Sequence, residues 1–427
     1  MKRAPGIIFI ILFLTFLVLV DYYVFTGVRT LTAELEARTR KIVHWIYWGI
    51  SISFFVWLGG LFLFVHSDGT IPKSISIFFA AWALVFVPKL IFALFLLGED
   101  VYRLLRSLFA VGHNAIVQND PMALSVGRRK FISTIAAATA AIPFFGILHG
   151  ITVGKFKYRV LRETIYYPDL PDAFDGFTIT QLSDIHAGSF DPISDRAVVQ
   201  KAIAMVNAQQ SDLFVFTGDL VNNMAREMDP WLEDFEKIHA PSGKFSILGN
   251  HDYGDYVNWA SGEAKEKNMQ HLYSVHGKVG FCLLRDENAV IEKNGQTISL
   301  IGVEDWGTGG FPKKGNLNKA LKNVPEDAFK ILLSHDPSHF DEIVSKHPTH
   351  IHLTLSGHTH GGQFGVEIPG IKFSPVGFRY PHWAGLYAVN GRNIYVNRGF
   401  GFLAFPGRVG IWPEVTVLTL KKGLPVS

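Results

Sequence analysis

Four stretches of nearly unbroken apolar residues fall within the first 151 positions, at 7–25, 43–65, 75–97 and 131–151. At about 1.5 Å of rise per helical residue, each is long enough to cross a hydrocarbon core roughly 30 Å thick. A helix on a soluble core needs a polar face, and these runs leave no room for one. The pattern predicts an all-α transmembrane region of four helices over 1–155, followed by a separate domain over 156–427. Asp21 and Lys89 are the main ionisable residues within the runs, near an end or beside Pro88. Lys89 is expected to snorkel to the interface, and the four spans to serve as an anchor rather than a transport path.

Charge follows the same division. Residues 1–155 hold 14 Lys/Arg against 7 Asp/Glu, and residues 156–427 hold 26 against 30. The positive excess flanks the membrane, and the mildly acidic remainder offers no broad basic footprint for nucleic acid. Lys2, Arg3 and Lys73 face one side. Arg29, Arg38, Arg40, Lys41, Arg103, Arg106, Arg128, Arg129 and Lys130 face the other, three against nine. The nine-charge side reads as cytoplasmic, which predicts an integral, multi-pass protein of the inner (cytoplasmic) membrane with its second domain extracytoplasmic. Gly127-Arg128-Arg129-Lys130-Phe131-Ile132 resembles a twin-arginine export signal and reads equally well as the basic flank of a span. The 99–127 connection holds amphipathic pieces. With 18% charged residues the chain is neither disordered nor a coiled coil, and its single cysteine, Cys282, excludes a disulfide framework or a Cys-rich metal site.

Beyond residue 156 the pattern changes to short β-rich runs at Phe177–Ser183, Asp212–Thr217, Lys244–Leu248, Ile298–Val303, Phe329–Ser334 and His352–Ser356. Helices are expected at Arg196–Ala208 and Trp231–His239, and three strands close the chain at Tyr387–Val389, Ile394–Asn397 and Glu414–Lys421. This alternation predicts an α/β sandwich with two sheets. Five of the strands run straight into polar motifs: Asp184-Ile185-His186, Gly218-Asp219, Gly249-Asn250-His251-Asp252, Ser334-His335-Asp336 and Gly357-His358-Thr359-His360. Carboxylates, imidazoles and an amide are thus delivered to one sheet edge, where open α/β folds place their sites. Any one of these motifs is weak. Five in order, each at a strand end, is a strong signal for hard or borderline divalent metals.

This series resembles the calcineurin-like metallophosphoesterase superfamily over roughly residues 157–421. Val396-Asn397-Arg398-Gly399-Phe400-Gly401 with Pro413-Glu414 is similar to its bacterial membrane-associated phosphodiesterase branch. The resemblance implies a four-layer α/β/β/α sandwich and two divalent metal ions, of manganese, zinc or iron. By the same resemblance Asp184, His186 and His360 hold one ion, Asn250, His335 and His358 hold the other, and Asp219 bridges them. His251, left over from that set, is implied to stabilise the transition state or protonate the leaving group. Asp252 either orients His251 or caps a backbone N–H. The implied activity is hydrolysis of phosphodiester or pyrophosphate bonds in a phosphate-ester substrate, envelope lipids or lipid-linked sugar nucleotides included. A phosphomonoesterase or protein phosphatase, and a silent membrane sensor or scaffold, are the alternatives, and oligomeric state is open.

Residues outside the motifs carry weaker expectations. Asp305 and Trp306 lie near the same edge and could touch substrate, but read first as a strand-end carboxylate and a packing ring; Arg379, His382 and Arg398 could bind phosphate, but read first as solvated or paired groups. Phe400, Phe402, Leu403 and Phe405 read as a packing loop or as a lip for the bilayer or an acyl chain.

Overall fold

The computed structural model describes residues 4–64, 73–111, 121–311 and 313–424. Lys2, Arg3, the last residue of the second apolar run and the middle of the 99–127 connection lie outside them. The described chain divides into a helical unit that ends at His149 and an α/β unit from Gly150 onward.

The helical unit comprises α1 (Ala4–Leu31), α2 (Ala37–Phe64), α3 (Lys73–Val111) and α4 (Pro121–Thr152), each holding a window long and apolar enough to span a membrane. Every helix outruns its apolar stretch. In α3 the polar extension is supported by Arg103, which pairs with Glu99 and Asp100 one turn away. Leu17, Val24, Phe86, Phe92, Leu96, Ala136 and Ala140 form the core of the unit.

Lys89 departs from expectation, because its ammonium does not snorkel. Its Nζ lies 2.6 Å from Asp21 Oδ1 and 2.7 Å from Ser51 Oγ, and the Tyr47 ring lies 4.7 Å beneath it. Tyr47 Oη donates to the Asp21 carbonyl at 2.7 Å. A carboxylate within reach on a neighbouring helix satisfies the ammonium without the side chain having to reach water. The paired arginines of α4 also find partners within the unit: Arg128 Nε lies 3.6 Å from Glu99 Oε1, and Arg129 Nη1 lies 3.2 Å from Asp100 Oδ1.

In chain order the α/β unit runs β1 (Arg159–Tyr167), β2 (Thr178–Leu182), α5 (Arg196–Asn207), β3 (Leu213–Phe216), α6 (Leu232–Phe235), β4 (Lys244–Ser246) and α7 (Gly262–Lys278). It continues with β5 (Cys282–Leu283), β6 (Glu287–Lys293), β7 (Gln296–Gly302), α8 (Leu317–Ala320), β8 (Lys330–Leu333), α9 (Pro337–Glu342) and β9 (Leu353–Ser356). A small hairpin, β10 (Val366–Ile368) and β11 (Ile371–Phe373), precedes β12 (Gly385–Val389), β13 (Arg392–Val396) and β14 (Glu414–Lys422).

Two six-stranded mixed sheets result, ordered β1-β14-β2-β3-β4-β5 and β12-β13-β9-β8-β7-β6. β14 joins the first sheet by lying parallel to β1 and antiparallel to β2. Ile179, Val215 and Leu418 of one sheet meet Leu300, Ile331 and Leu355 of the other in a shared core. On the outer face of the first sheet, Phe214 and Phe216 share a cluster with Val199 and Ile203 of α5 and Leu272 of α7. On that of the second, Leu332 and Ile394 share one with Leu317 of α8 and Phe340 of α9. The order is helix, sheet, sheet, helix: the four-layer α/β/β/α sandwich.

One expected element shrinks, one helix goes unforeseen, and one open pair of readings is decided. The helix foreseen at Trp231–His239 is a single turn, α6. The 17-residue α7 carries so polar a sequence that it gives little periodic signal: Met269, Leu272, Val275 and His276 are its buried residues, and Ser261 caps it through Ala264 N. Phe400 and Phe402 are core, not lip. They pack with Phe190 and Phe235, because the turn after β13 folds back under β2.

Candidate metal centre

The strand-end motifs converge at the carboxyl edges of β2, β3, β8 and β9 and the turn after β4. Backbone hydrogen bonds lace the turns together: Asp184 N donates to the Gly218 carbonyl at 2.9 Å and His186 N to the Asp219 carbonyl at 3.1 Å. The glycines make this approach possible. A Cβ on Gly249 would sit 2.3 Å from Asp219 Oδ1, and one on Gly357 would sit 2.3 Å from Asp184 Oδ2. Five of the seven expected ligands, Asp184, His186, Asp219, His358 and His360, hold left-handed backbone with φ between 48° and 70°. Non-glycine residues avoid that region unless their surroundings enforce it, and such strain gathers at functional sites.

Two groups of side chains face one another. In each of the sets Asp184/His186/His360 and Asp219/His335/His358, potential ligand atoms lie within 4.8 Å of one another. His186 Nε2 is 3.0 Å from His360 Nε2, and His360 Nε2 is 3.3 Å from Asp184 Oδ1. Asp219 Oδ2 lies 3.5 Å from His186 Nε2 and 3.2 Å from His335 Nε2, between the two groups. Asn250 Oδ1 joins the second group at 2.8 Å from His358 Nδ1. All seven residues expected as ligands are therefore brought together.

The donors suit divalent cations. Burial above all pushes the His186 imidazole down to about 3 and that of His358 down to about 4. Burial also holds His360 well below the usual range, so these rings are neutral near pH 7, the form that ligates. Asp184 is pushed up to about 7 by burial and by neighbouring Asp219, against the pull of His335. At His335 burial pulls the ring down, but Asp219, Asp184 and Asp305 together hold it well above the usual range and protonated, a positive charge that a bound cation would replace. Its Nδ1–H donates to the Thr217 carbonyl at 2.7 Å, while the buried Nε2 faces Asp219 Oδ2 at 3.2 Å. Two imidazole nitrogens aimed at each other at 3.0 Å share at most one proton and are better served by a metal between them.

His251 stands at the rim. Its ring is 5.0 Å from that of His186, its backbone N–H donates to Asp219 Oδ1 at 2.9 Å, and its Nδ1–H donates to the Asn222 carbonyl at 2.7 Å. Nε2 is left to hold or give up a proton. The pairing of Asp252 with His251 is not made. The Asp252 carboxylate is fully buried and instead accepts the backbone N–H groups of Asp219 (2.9 Å), Leu220 (2.8 Å), Val221 (3.2 Å) and Gly249 (2.9 Å). Burial and Asp219 push its carboxyl up to about 7, against the pull of those donors.

Several neighbours carry no motif signal. Tyr380 Oη lies 2.8 Å from His358 Nε2, with Asp336 Oδ2 at 3.5 Å. Asn250 Nδ2 donates to Tyr256 Oη at 2.8 Å, and the Tyr256 ring lies 4.6 Å from that of His251. Arg408, wholly buried, reaches the His360 carbonyl at 3.3 Å. Asp305 is buried with both carboxylate oxygens lacking hydrogen-bond partners among the described residues, and burial pushes it up to about 7. Arg398 is held by Glu367 and Glu414, and His382 by Asp341 at 2.7 Å. Trp306 packs 5.2 Å from His339.

Comparison with known proteins agrees with this geometry. The family model for calcineurin-like phosphoesterases matches residues 177–362. A second, described as a probable calcineurin-like phosphoesterase transmembrane domain, matches residues 3–155. The chain is 32% identical over 306 residues to the uncharacterized metallophosphoesterase YkuE of Bacillus subtilis, covering 69% of this chain and 98% of that protein. It is 30% identical over 299 residues to the phosphodiesterase YaeI of Escherichia coli, covering 69% and 99%. It is also 29% identical over 329 residues to the UDP-2,3-diacylglucosamine pyrophosphatase LpxG of Chlamydia trachomatis, covering 66% and 93%.

Proposed function

The chain belongs to the calcineurin-like phosphoesterase family as a membrane-linked metallophosphoesterase, and we propose that it hydrolyses phosphodiester or pyrophosphate bonds of lipid-linked substrates at a two-metal centre. The observation that carries this reading is the convergence of two ligand groups on Asp219 Oδ2. Asp184, His186 and His360 would hold one cation, and Asn250, His335 and His358 the other. Held by these residues, divalent cations would supply Lewis acidity to the phosphoryl group and to the attacking water. Two carboxylates and one neutral amide leave such a pair with net positive charge for phosphate. His251, oriented by the Asn222 carbonyl, gives the proton from Nε2 to the leaving oxygen. Thr217, through the His335 Nδ1–H, and Tyr380 with Asp336, beside His358 Nε2, fix the orientation of those rings. The relatives named as a phosphodiesterase and a lipid pyrophosphatase support the bond type and the lipid-linked class. The loop-charge asymmetry supports an extracytoplasmic catalytic domain.

Metal analysis of the full chain, with turnover of a chromogenic diester beside its monoester, tests the reading. Two metals per chain and preference for the diester are expected. His251→Ala should keep the metals and lose about 10²-fold in turnover. A metal-free chain after manganese loading, or preference for the monoester, rejects the proposal.

A further inference from the structure

The hairpin of β10 and β11 has its amphipathicity reversed. Its central pair, Glu367 and Lys372, makes the polar contacts with the domain, Glu367 partly buried and Lys372 still exposed. Glu367 is bound by Arg398, with its Oε2 3.0 Å from Nε, and Lys372 Nζ lies 5.0 Å and 5.2 Å from the Trp383 and Tyr387 rings. The flanking pairs, Val366 with Phe373 and Ile368 with Ile371, share the opposite face, as cross-strand partners must. That face is open: these four side chains are between 45% and 55% exposed, and Phe378, 6.2 Å from Phe373, is 86% exposed. At about 150–200 Å² for a whole large apolar side chain, the exposed patch is on the order of 500 Å², which marks an interaction surface rather than scatter.

The patch is continuous with the metal centre. The hairpin begins at Val366, six positions after His360, and Ser374 Oγ ties its end to the Gly361 and Phe364 carbonyls at 2.8 and 2.9 Å. Phe378 is followed by exposed Arg379, whose guanidinium lies 5.5 Å from the Phe311 ring. Phe311 in turn is 5.0 Å from His358, and Tyr380 touches His358 at 2.8 Å. Apolar face, Phe311 and ligand cluster thus follow one another, the order of acyl chain and scissile phosphate in a lipid phosphoester.

We propose that the outward face of this hairpin, with Phe378, binds the acyl chains of the substrate whose phosphoryl group lies at the metal centre. The proposal rests on the phosphodiesterase reading and names which part of the molecule selects the lipid.

The test uses the full chain in phosphatidylcholine nanodiscs and monomeric alkyl p-nitrophenyl phosphates, methyl to octyl. For the wild type, kcat/KM should rise about three- to fourfold for each methylene that reaches the patch. The rise should flatten in Ile368→Ser/Ile371→Ser/Phe373→Ser and weaken in Phe378→Ser, whose exposed ring leaves folding intact. A wild type that cleaves the methyl ester without any rise, or a rise unchanged in both variants, overturns the proposal and leaves the diesterase reading standing. A wild type that cleaves no ester rejects the diesterase reading. The patch is then decided separately by a decyl phosphate carrying a chain-end diazirine, which should label 364–378 in the wild type and not in the triple variant. Equal labelling of 364–378 by a diazirine phosphatidylcholine in the nanodisc assigns the face to the bilayer and overturns the proposal.

Discussion

Asp252→Asn separates a structural from a catalytic role for a carboxylate that sits beside the proposed acid. Oδ2 accepts the N–H groups of Asp219 and Gly249, and Oδ1 those of Leu220 and Val221. An amide keeps one of these oxygens and turns an NH₂ toward the other two donors. Above pH 7, where the carboxyl is ionised, two hydrogen bonds to a charged acceptor are lost, at about 1.5–3 kcal/mol each. The loss is therefore about 3–6 kcal/mol. For a domain of this size that is a fall in Tm on the order of 10 °C. In either orientation orphaned donors lie in the turn that carries Asp219, joined by Gly249 beside Asn250 when Oδ2 is replaced, so the ligand spacing should relax and metal content should fall with stability. The assay is Tm and metal stoichiometry of the full chain in detergent, with turnover measured in parallel. A variant that holds two metals at unchanged Tm but turns over slowly would refute the reasoning and place Asp252 in the chemistry of His251.

Three further outcomes follow from other parts of the molecule. Asp21→Asn and Lys89→Met should each destabilise the full chain by about 3–5 kcal/mol, because each strands a buried partner, while the double variant should recover most of the loss; strictly additive Tm shifts would show that the pair is not coupled. Burial pushes His276 down to about 3, whereas the unfolded ring takes a proton near 6.5. Unfolding therefore binds a proton between those limits, and stability falls as pH drops through 6.5 towards 3. Between pH 6.5 and 5 this amounts to roughly 1.5 kcal/mol, which His276→Phe should remove; an identical pH dependence of Tm in the variant contradicts the assignment. Cys282, the single cysteine of the chain, is exposed at the edge of the first sheet. An impermeant maleimide should label it on intact cells, and labelling only after lysis would place the catalytic domain in the cytoplasm.

The ligand cluster was legible in the sequence because each strand end carries its chemistry in three or four consecutive residues, so order along the chain stood in for proximity in space. What consecutive residues do not encode was missed. Tyr256, Tyr380 and Arg408 reach the cluster from loops without a motif. Asp21 and Lys89 are 68 positions apart, and a hydropathy window reads each as an isolated charge. The left-handed backbone of five ligands is likewise invisible, since it is imposed by the meeting of turns rather than by any one of them.

The hairpin shows the sharper limit. Alternation of apolar and charged residues over 366–373 identifies two faces of a strand pair, but alternation has no sign: it does not say which face turns inward. Burial of the apolar face is the usual outcome because the interior is usually apolar. Here the adjoining surface presents Arg398, Trp383 and Tyr387, which take up Glu367 and Lys372, and the aliphatic side chains are turned out. The direction of that choice is set by residues up to 31 positions away. An apolar surface beside the proposed metal centre is therefore a property of the assembled domain and of no segment within it.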